Sequence, residues 1–154
     1  MFKEMRRIEK QLSKDKVEEI LNKGEYGMLS TIGENGYPYG VPVNYVYMKD
    51  SIYIHGAVEG HKIDNINFNP KTSFCVVNYS EVIPNKFSTH YESVIVFGRA
   101  EVIEGEEKEL ALEGFIHKYS KEFLEPGKKY ISGSKNRTKI IKMKIEHMTG
   151  KKGS

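Results

Sequence analysis

Apolar residues recur along this chain in two rhythms, and the points where one gives way to the other divide it into elements. Val17, Ile20 and Leu21 follow Ser13 and Asp15 at helical spacing and Gly24 ends the run, which predicts a short amphipathic helix after a charged leader. Gly27 to Ile32 reads as a strand, Glu34-Asn35-Gly36 carries the Asn-Gly hairpin signal, and Tyr39 to Met48 reads as the returning strand. Lys49-Asp50-Ser51 turns into Ile52 to His55, so a three-stranded antiparallel meander is expected, with neighbours in sequence becoming neighbours in space. Gly56 to Gly60 then links to a short helix, Lys62 to Phe68, stopped at Asn69-Pro70. Strand patterns return at Thr72 to Tyr79 and Glu92 to Ile103, on either side of an exposed loop around Ile83-Pro84-Asn85. Gly105 to Ser120 predicts a second helix with Leu112, Phe115, Ile116 and Tyr119 on one stripe, broken by Glu125-Pro126-Gly127. In Thr138 to Glu146, Ile141, Met143 and Ile145 alternate with Lys142, Lys144 and Glu146, as in a half-buried closing strand.

Six antiparallel strands and short helices without a repeated βαβ rhythm point to an α+β chain, mainly β, built as a small antiparallel barrel. The 154 residues suit a single domain, 1–154, with 1–12 as a leader and 149–154 as a polar tail. Ten tyrosines and seven phenylalanines without tryptophan strengthen the β reading. Cys75 is the only cysteine, so no intramolecular disulfide can form, and its place in Ser73-Phe74-Cys75-Val76-Val77 suggests a buried structural role. That usage suits a reducing, cytoplasmic setting, and neither a signal-like run nor a membrane-length apolar segment is present. Acids and bases nearly cancel, at 21 against 24. The basic residues from Lys128 to Lys152 alternate with apolar ones as on the wet face of a strand, so no nucleic-acid partner is expected.

The common enzyme fingerprints are missing: no Gly-x-Gly-x-x-Gly, phosphate loop, His-Glu-x-x-His or Gly-x-Ser-x-Gly occurs, so a borrowed cofactor becomes the attractive source of reactivity. In His55-Gly56-Ala57-Val58-Glu59-Gly60-His61-Lys62, two glycines and the side chains of His61 and Lys62 stand at a predicted helix start. Unpaired N–H groups, the helix dipole and charge-assisted donors would there welcome a phosphate, although the segment also reads as an ordinary polar turn. In Val41-Pro42-Val43-Asn44-Tyr45, proline inside a strand marks an edge or bulge whose backbone could meet a flat ligand or simply end the sheet. His55, Glu59 and His61 could be read as metal ligands, but they lack a fourth partner and match no common spacing, so no metal is assigned.

Taken together these segments resemble the pyridoxamine 5'-phosphate oxidase-like split-barrel flavoproteins, and within them the nitroimidazole-resistance (Nim-type) branch. The resemblance runs from about Met28 through Lys151. It is carried by Gly36 to Tyr45, Ile52 to Ala57, Glu59-Gly60-His61-Lys62, Tyr91 to Gly98 and Met148-Thr149-Gly150-Lys151. It implies a homodimer with FMN at each end of the interface, Pro42, Val43 and Asn44 facing the ring, and His55 and Gly56 beside it. His61 and Lys62 would face the phosphate, and Tyr91 and Ser93 would complete the pocket from the partner subunit. By the same resemblance His55 matches a histidine near the flavin and is the candidate catalytic residue, donating a proton or orienting an acceptor. The branch often has arginine where Glu92 stands, and Ile140 to Ser154 lacks the Arg- and His-bearing segment of true pyridoxamine phosphate oxidases. The resemblance therefore favours reduction of a nitroaromatic or other small electron acceptor, with a non-catalytic FMN carrier or sensor as the alternative, over oxidation of a vitamin B6 phosphate.

Overall fold

A computed structural model describes residues 1–153. It contains seven strands, β1 (Gly27–Ile32), β2 (Pro38–Val43), β3 (Val46–Met48), β4 (Ser51–Ala57), β5 (Lys71–Ile83), β6 (Ser88–Ile103) and β7 (Thr138–Gly153). Four α-helices accompany them: α1 (Lys14–Lys23), α2 (His61–Phe68), α3 (Gly105–Tyr119) and α4 (Leu124–Ser134). The strands form one antiparallel sheet in the order β2-β1-β5-β6-β7-β4-β3. The α+β class thus holds, with seven strands where the alternation predicts six.

The extra strand comes from the run Tyr39 to Met48, which is divided between the two opposite edges of the sheet rather than forming the middle of a meander. Residues 38–43 pair with β1, whereas Val46 to Met48 pair with β4. Only Asn44 and Tyr45 join the two edges, so the sheet must curl until β2 and β3 come close. The sequence pattern misses the break for a physical reason. Val41, Val43, Tyr45 and Tyr47 all pack on one apolar cluster, so the alternation continues unbroken through the crossing. Alternation reports which face a side chain takes, not which strand its backbone pairs with.

Both faces of the first part of β4 are covered, which explains the unbroken burial of Ser51 to Ile54. Ile52 and Ile54 join α1, α2, β5, β6 and β7 in the larger cluster, while Tyr53 joins β3, α3 and Ile140 in a smaller one. Each fully buried aliphatic or aromatic side chain there contributes roughly 1.5–3 kcal/mol. The start of α3 is anchored to the strands by Glu107, which accepts from the Tyr53 hydroxyl at 2.7 Å and pairs with Lys142 at 2.6 Å. Those two contacts, Lys142 foremost, hold the Glu107 carboxyl below its usual range.

Other expectations shift in detail. Ser13 caps α1 by accepting from the Lys16 N–H. Lys49 and Asp50, both at positive φ, make the tight β3–β4 turn. β5 and β6 extend past Tyr79 and Glu92 into a paired arm closed by a 3-10 turn at Pro84–Lys86. Most of that arm is open to solvent, so burial imposes little period-two pattern on it. α3 ends at Tyr119, and Pro126 sits in the first turn of α4, where its missing N–H costs nothing. The closing strand runs beyond Glu146 to Gly153, its last residues paired with Tyr91 to Ser93. In the leader, Gln11 bridges Lys151 and the Phe2 ring stacks on His147 with centroids 4.8 Å apart. No helix among the described residues is long and apolar enough to cross a membrane.

Candidate functional site

The crossing at Asn44–Tyr45 has no strand partner, so its backbone groups need other company. The Tyr45 N–H donates to the Tyr119 phenol at 3.0 Å, and the Tyr45 carbonyl accepts from the Lys118 ammonium at 2.9 Å. The Tyr119 hydroxyl donates to the Glu25 carbonyl at 2.6 Å, with the Tyr45 carbonyl a second acceptor at 3.0 Å. Asn44 Nδ2 also donates to the Glu25 carbonyl, at 3.0 Å, and the buried Tyr45 hydroxyl donates to Leu21 at 2.6 Å. The end of α3 therefore braces the segment in which Pro42, Val43 and Asn44 lie. Burial pushes the Lys118 ammonium down to about 8, although it sits 3.8 Å from the Tyr45 ring centre.

β2 pairs only on its β1 side, leaving the edge that carries Pro42 and Val43 without a strand neighbour. α2 starts beside this strand, with Tyr39 and His61 in ring contact at 3.9 Å between centroids. Three strand steps separate Tyr39 from Pro42, roughly 10 Å. α2 is fixed from beneath by Asn65, whose buried amide donates to Thr31 at 3.0 Å. Its start carries no side-chain cap: Gly60, at φ 154°, occupies the cap position and leaves the first-turn N–H groups open. Lys62 folds back over Gly56, its ammonium 3.0 Å from where a β-carbon would stand, so a larger residue at 56 would crowd the ammonium. Gly56, His61 and Lys62 are thus gathered at one bare helix start.

His55 continues the Tyr53 face of β4, toward α3. Its ring meets Phe115 edge-on, at 4.6 Å and 76°, and burial together with the Lys62 charge lowers its pKa below the usual 6.5. No described residue hydrogen-bonds this imidazole. With Asn44 it borders a chamber of about 410 Å³ between β4, α3 and α4. Phe115 and Tyr119, nearly parallel at 18°, form part of its aromatic wall. The sequence placed Phe115 and Tyr119 on the apolar stripe of a helix but did not identify them, Lys118 or Tyr130 as site residues. A tyrosine at the end of such a stripe, where a hydroxyl needs a polar partner, is the signal that could have found Tyr119.

Tyr91 and Ser93 are not brought to this place. They pair with Gly153 and Lys151 at one end of β7, whereas His55 pairs with Ile140 near the other, roughly 35–45 Å away along the strand. Glu92, where the resembled branch often has arginine, pairs with Lys16 at 3.6 Å and accepts from Asn78 at 2.8 Å, tying α1 to the β5–β6 arm. Cys75 is half-buried and burial raises its pKa, keeping it a thiol.

Comparison with known proteins places this geometry in context. A search of curated proteins returned no match. Among solved structures, the chain is similar to a candidate 5-nitroimidazole antibiotic resistance protein from Bacteroides thetaiotaomicron, at 26% identity and TM-score 0.79, covering 93% of this chain and 86% of that one. It shares its fold with an FAD-binding protein from Mesorhizobium loti, at 23% identity and TM-score 0.63 over 94% of this chain and 96% of that one. A flavocytochrome from Azotobacter vinelandii aligns at 20% identity and TM-score 0.78, over 97% of this chain and 72% of that one. The family model described as pyridoxamine 5'-phosphate oxidase matches residues 13–152, and the chain belongs to that family.

Proposed function

We propose that this protein is an FMN-binding flavoprotein of split-barrel form that reduces nitroaromatic or other small electron acceptors. The observation that carries the reading is the uncapped start of α2, with Lys62 folded over Gly56, set beside the unpaired edge of β2. The flavin association of the fold neighbours supports it. The residues fit the cofactor. The bare N–H groups of α2 with His61 and Lys62 would hold the phosphate, and the apolar edge at Pro42 and Val43 with Asn44 would lie along the ring. When bound, FMN would supply the electrons that the side chains cannot.

The work of the chain's own residues is positional. With its pKa lowered, His55 is neutral at pH 7 and presents one N–H toward an acceptor oxygen, so it orients the acceptor rather than delivering a stored proton. Tyr91 and Ser93, remote from His55 along the strand, would come from a second copy. The outer sheet face offers such a copy an apolar surface, with Met28, Ile32, Ile95 and Phe97 at least 38% exposed. The chain is read as a homodimer working in the cytoplasm.

The test begins with purified protein incubated with FMN and freed of excess by gel filtration, and flavin bands should co-elute. Anaerobically reduced holoprotein mixed with a nitroaromatic should reoxidise faster than reduced free FMN. In His55→Ala the flavin should be retained and this advantage lost. In the wild type the rate should rise to a plateau as the pH increases through the lowered pKa of His55, whereas a rate that falls with pH through the same titration would restore the proton-donor role. Flavin retention without faster reoxidation would make the protein a carrier or sensor.

A further inference from the structure

We propose that the chamber between β4, α3 and α4 is a binding site for an uncharged planar aromatic acceptor, and that it discriminates against anionic ones. This deepens the flavoprotein reading and rests on it for the acceptor's role, but the discrimination itself is a property of the wall. The volume of about 410 Å³ admits one small ring system. The stacked rings of Phe115 and Tyr119, with Ile116 beside them, line it with apolar and aromatic surface.

Charge decides the class of occupant. No lysine or arginine borders the chamber, and its one carboxylate is that of Glu25. Of the two nearby cations, the half-buried Lys118 is turned away onto the Tyr45 carbonyl and ring, and Lys62, whose charge reaches His55, is the one assigned to the FMN phosphate. A phosphate or carboxylate entering here would lose water without gaining a cation to pair with, and Glu25 would repel it. The polar groups at the mouth are largely committed: Asn44 Nδ2 to the Glu25 carbonyl and the Ser134 hydroxyl to the Tyr130 carbonyl. The His55 imidazole on the β4 side, and the Ser120 and Tyr130 hydroxyls on the helix side, are the donors left for a neutral acceptor oxygen, such as that of a nitro or quinone group.

Two probes of nearly equal shape separate these terms: 4-nitrobenzyl alcohol, which is neutral, and 4-nitrobenzoate. Each is titrated into oxidised, FMN-loaded protein labelled at the isoleucine methyls, and Ile116 and Ile131 report on the chamber wall. The alcohol should shift both methyls saturably and bind roughly ten-fold or more tightly than the benzoate. Ser134→Lys places a cation at the mouth and should reduce the alcohol-to-benzoate ratio roughly ten-fold, chiefly by strengthening benzoate binding. Tyr130→Lys, at an exposed position of α4, is the second placement if the first variant does not fold. Equal affinities in the wild type, shifts confined to other methyls, or a ratio unmoved by a folded lysine variant would overturn the proposal. So would displacement of the alcohol by FMN, which would make the chamber part of the flavin site. If the protein retains no FMN, the flavoprotein reading fails, and the same titration on flavin-free protein still decides whether the chamber discriminates by charge.

Discussion

The crossing at Asn44–Tyr45 and the start of α2 stand beside the same strand, β2, and are built in opposite ways. At the crossing, Tyr119 and Lys118 complete the backbone of a segment that has no strand partner. At α2, nothing caps the first turn, and a lysine is folded over a glycine. One region spends polar side chains on holding the chain in place, whereas the other leaves donors open. The contrast separates structural polar groups from those available to a ligand, and it makes substitutions at the two regions diverge in what they disturb.

The largest expected effect is on binding, at the open region. Lys62→Ala removes a charge-assisted phosphate contact of about 1.5–3 kcal/mol, so FMN affinity should fall roughly 10- to 100-fold. The urea midpoint without FMN should stay nearly constant, because no protein hydrogen bond is lost. Flavin fluorescence titration beside urea unfolding checks both halves. A variant that loses stability but keeps its FMN affinity would reverse the assignment of the two regions.

At the braced region the order is inverted. Tyr119→Phe keeps the ring against Phe115 but deprives the Tyr45 N–H and the Glu25 carbonyl of their phenol partner, at a cost of about 1–2 kcal/mol in unfolding free energy. FMN binding should weaken less than in Lys62→Ala, since Asn44 keeps its own bond to Glu25. Chemical denaturation of the flavin-free variant measures the first effect and titration the second. An unchanged midpoint would mean that solvent replaces the phenol and that the crossing needs no brace.

The same contrast explains what could be read from the chain beforehand. The open region was legible because its signals are local: glycines, a histidine and a lysine at a helix start, and Pro42 in a strand. The helix at Val17 to Leu21, the hairpin at Asn35-Gly36 and the alternation of Ile141 to Glu146 were legible for the same reason. The brace was not, because Tyr119 meets Tyr45 across 74 positions and no local pattern encodes that contact. The split of Tyr39 to Met48 stayed hidden because its side-chain alternation survives the change of ladder. The chamber requires α4, whose first turn holds Pro126, a residue that in the sequence signals only a break.

The smallest effect is the most diagnostic of the brace. Lys118 is pushed down to about 8 from an ordinary 10.5, so between those values the unfolded chain holds a proton that the folded chain has released. Stability contributed by this group must therefore rise with pH across that window, and its burial opposes folding most below pH 8. Lys118→Met removes the titration while leaving the Tyr45 carbonyl its contact with Tyr119. The difference in unfolding free energy, wild type minus variant, should increase from pH 8 to pH 10.5, and taking the difference cancels the other titrating groups. The increase should fall short of the one-proton slope of about 1.4 kcal/mol per pH unit, because the ammonium is only half-buried and solvent screens the rest. Urea midpoints at pH 7.5, 9 and 10 give the slope. A constant difference across the three would place the ammonium in water, where it could not brace the crossing.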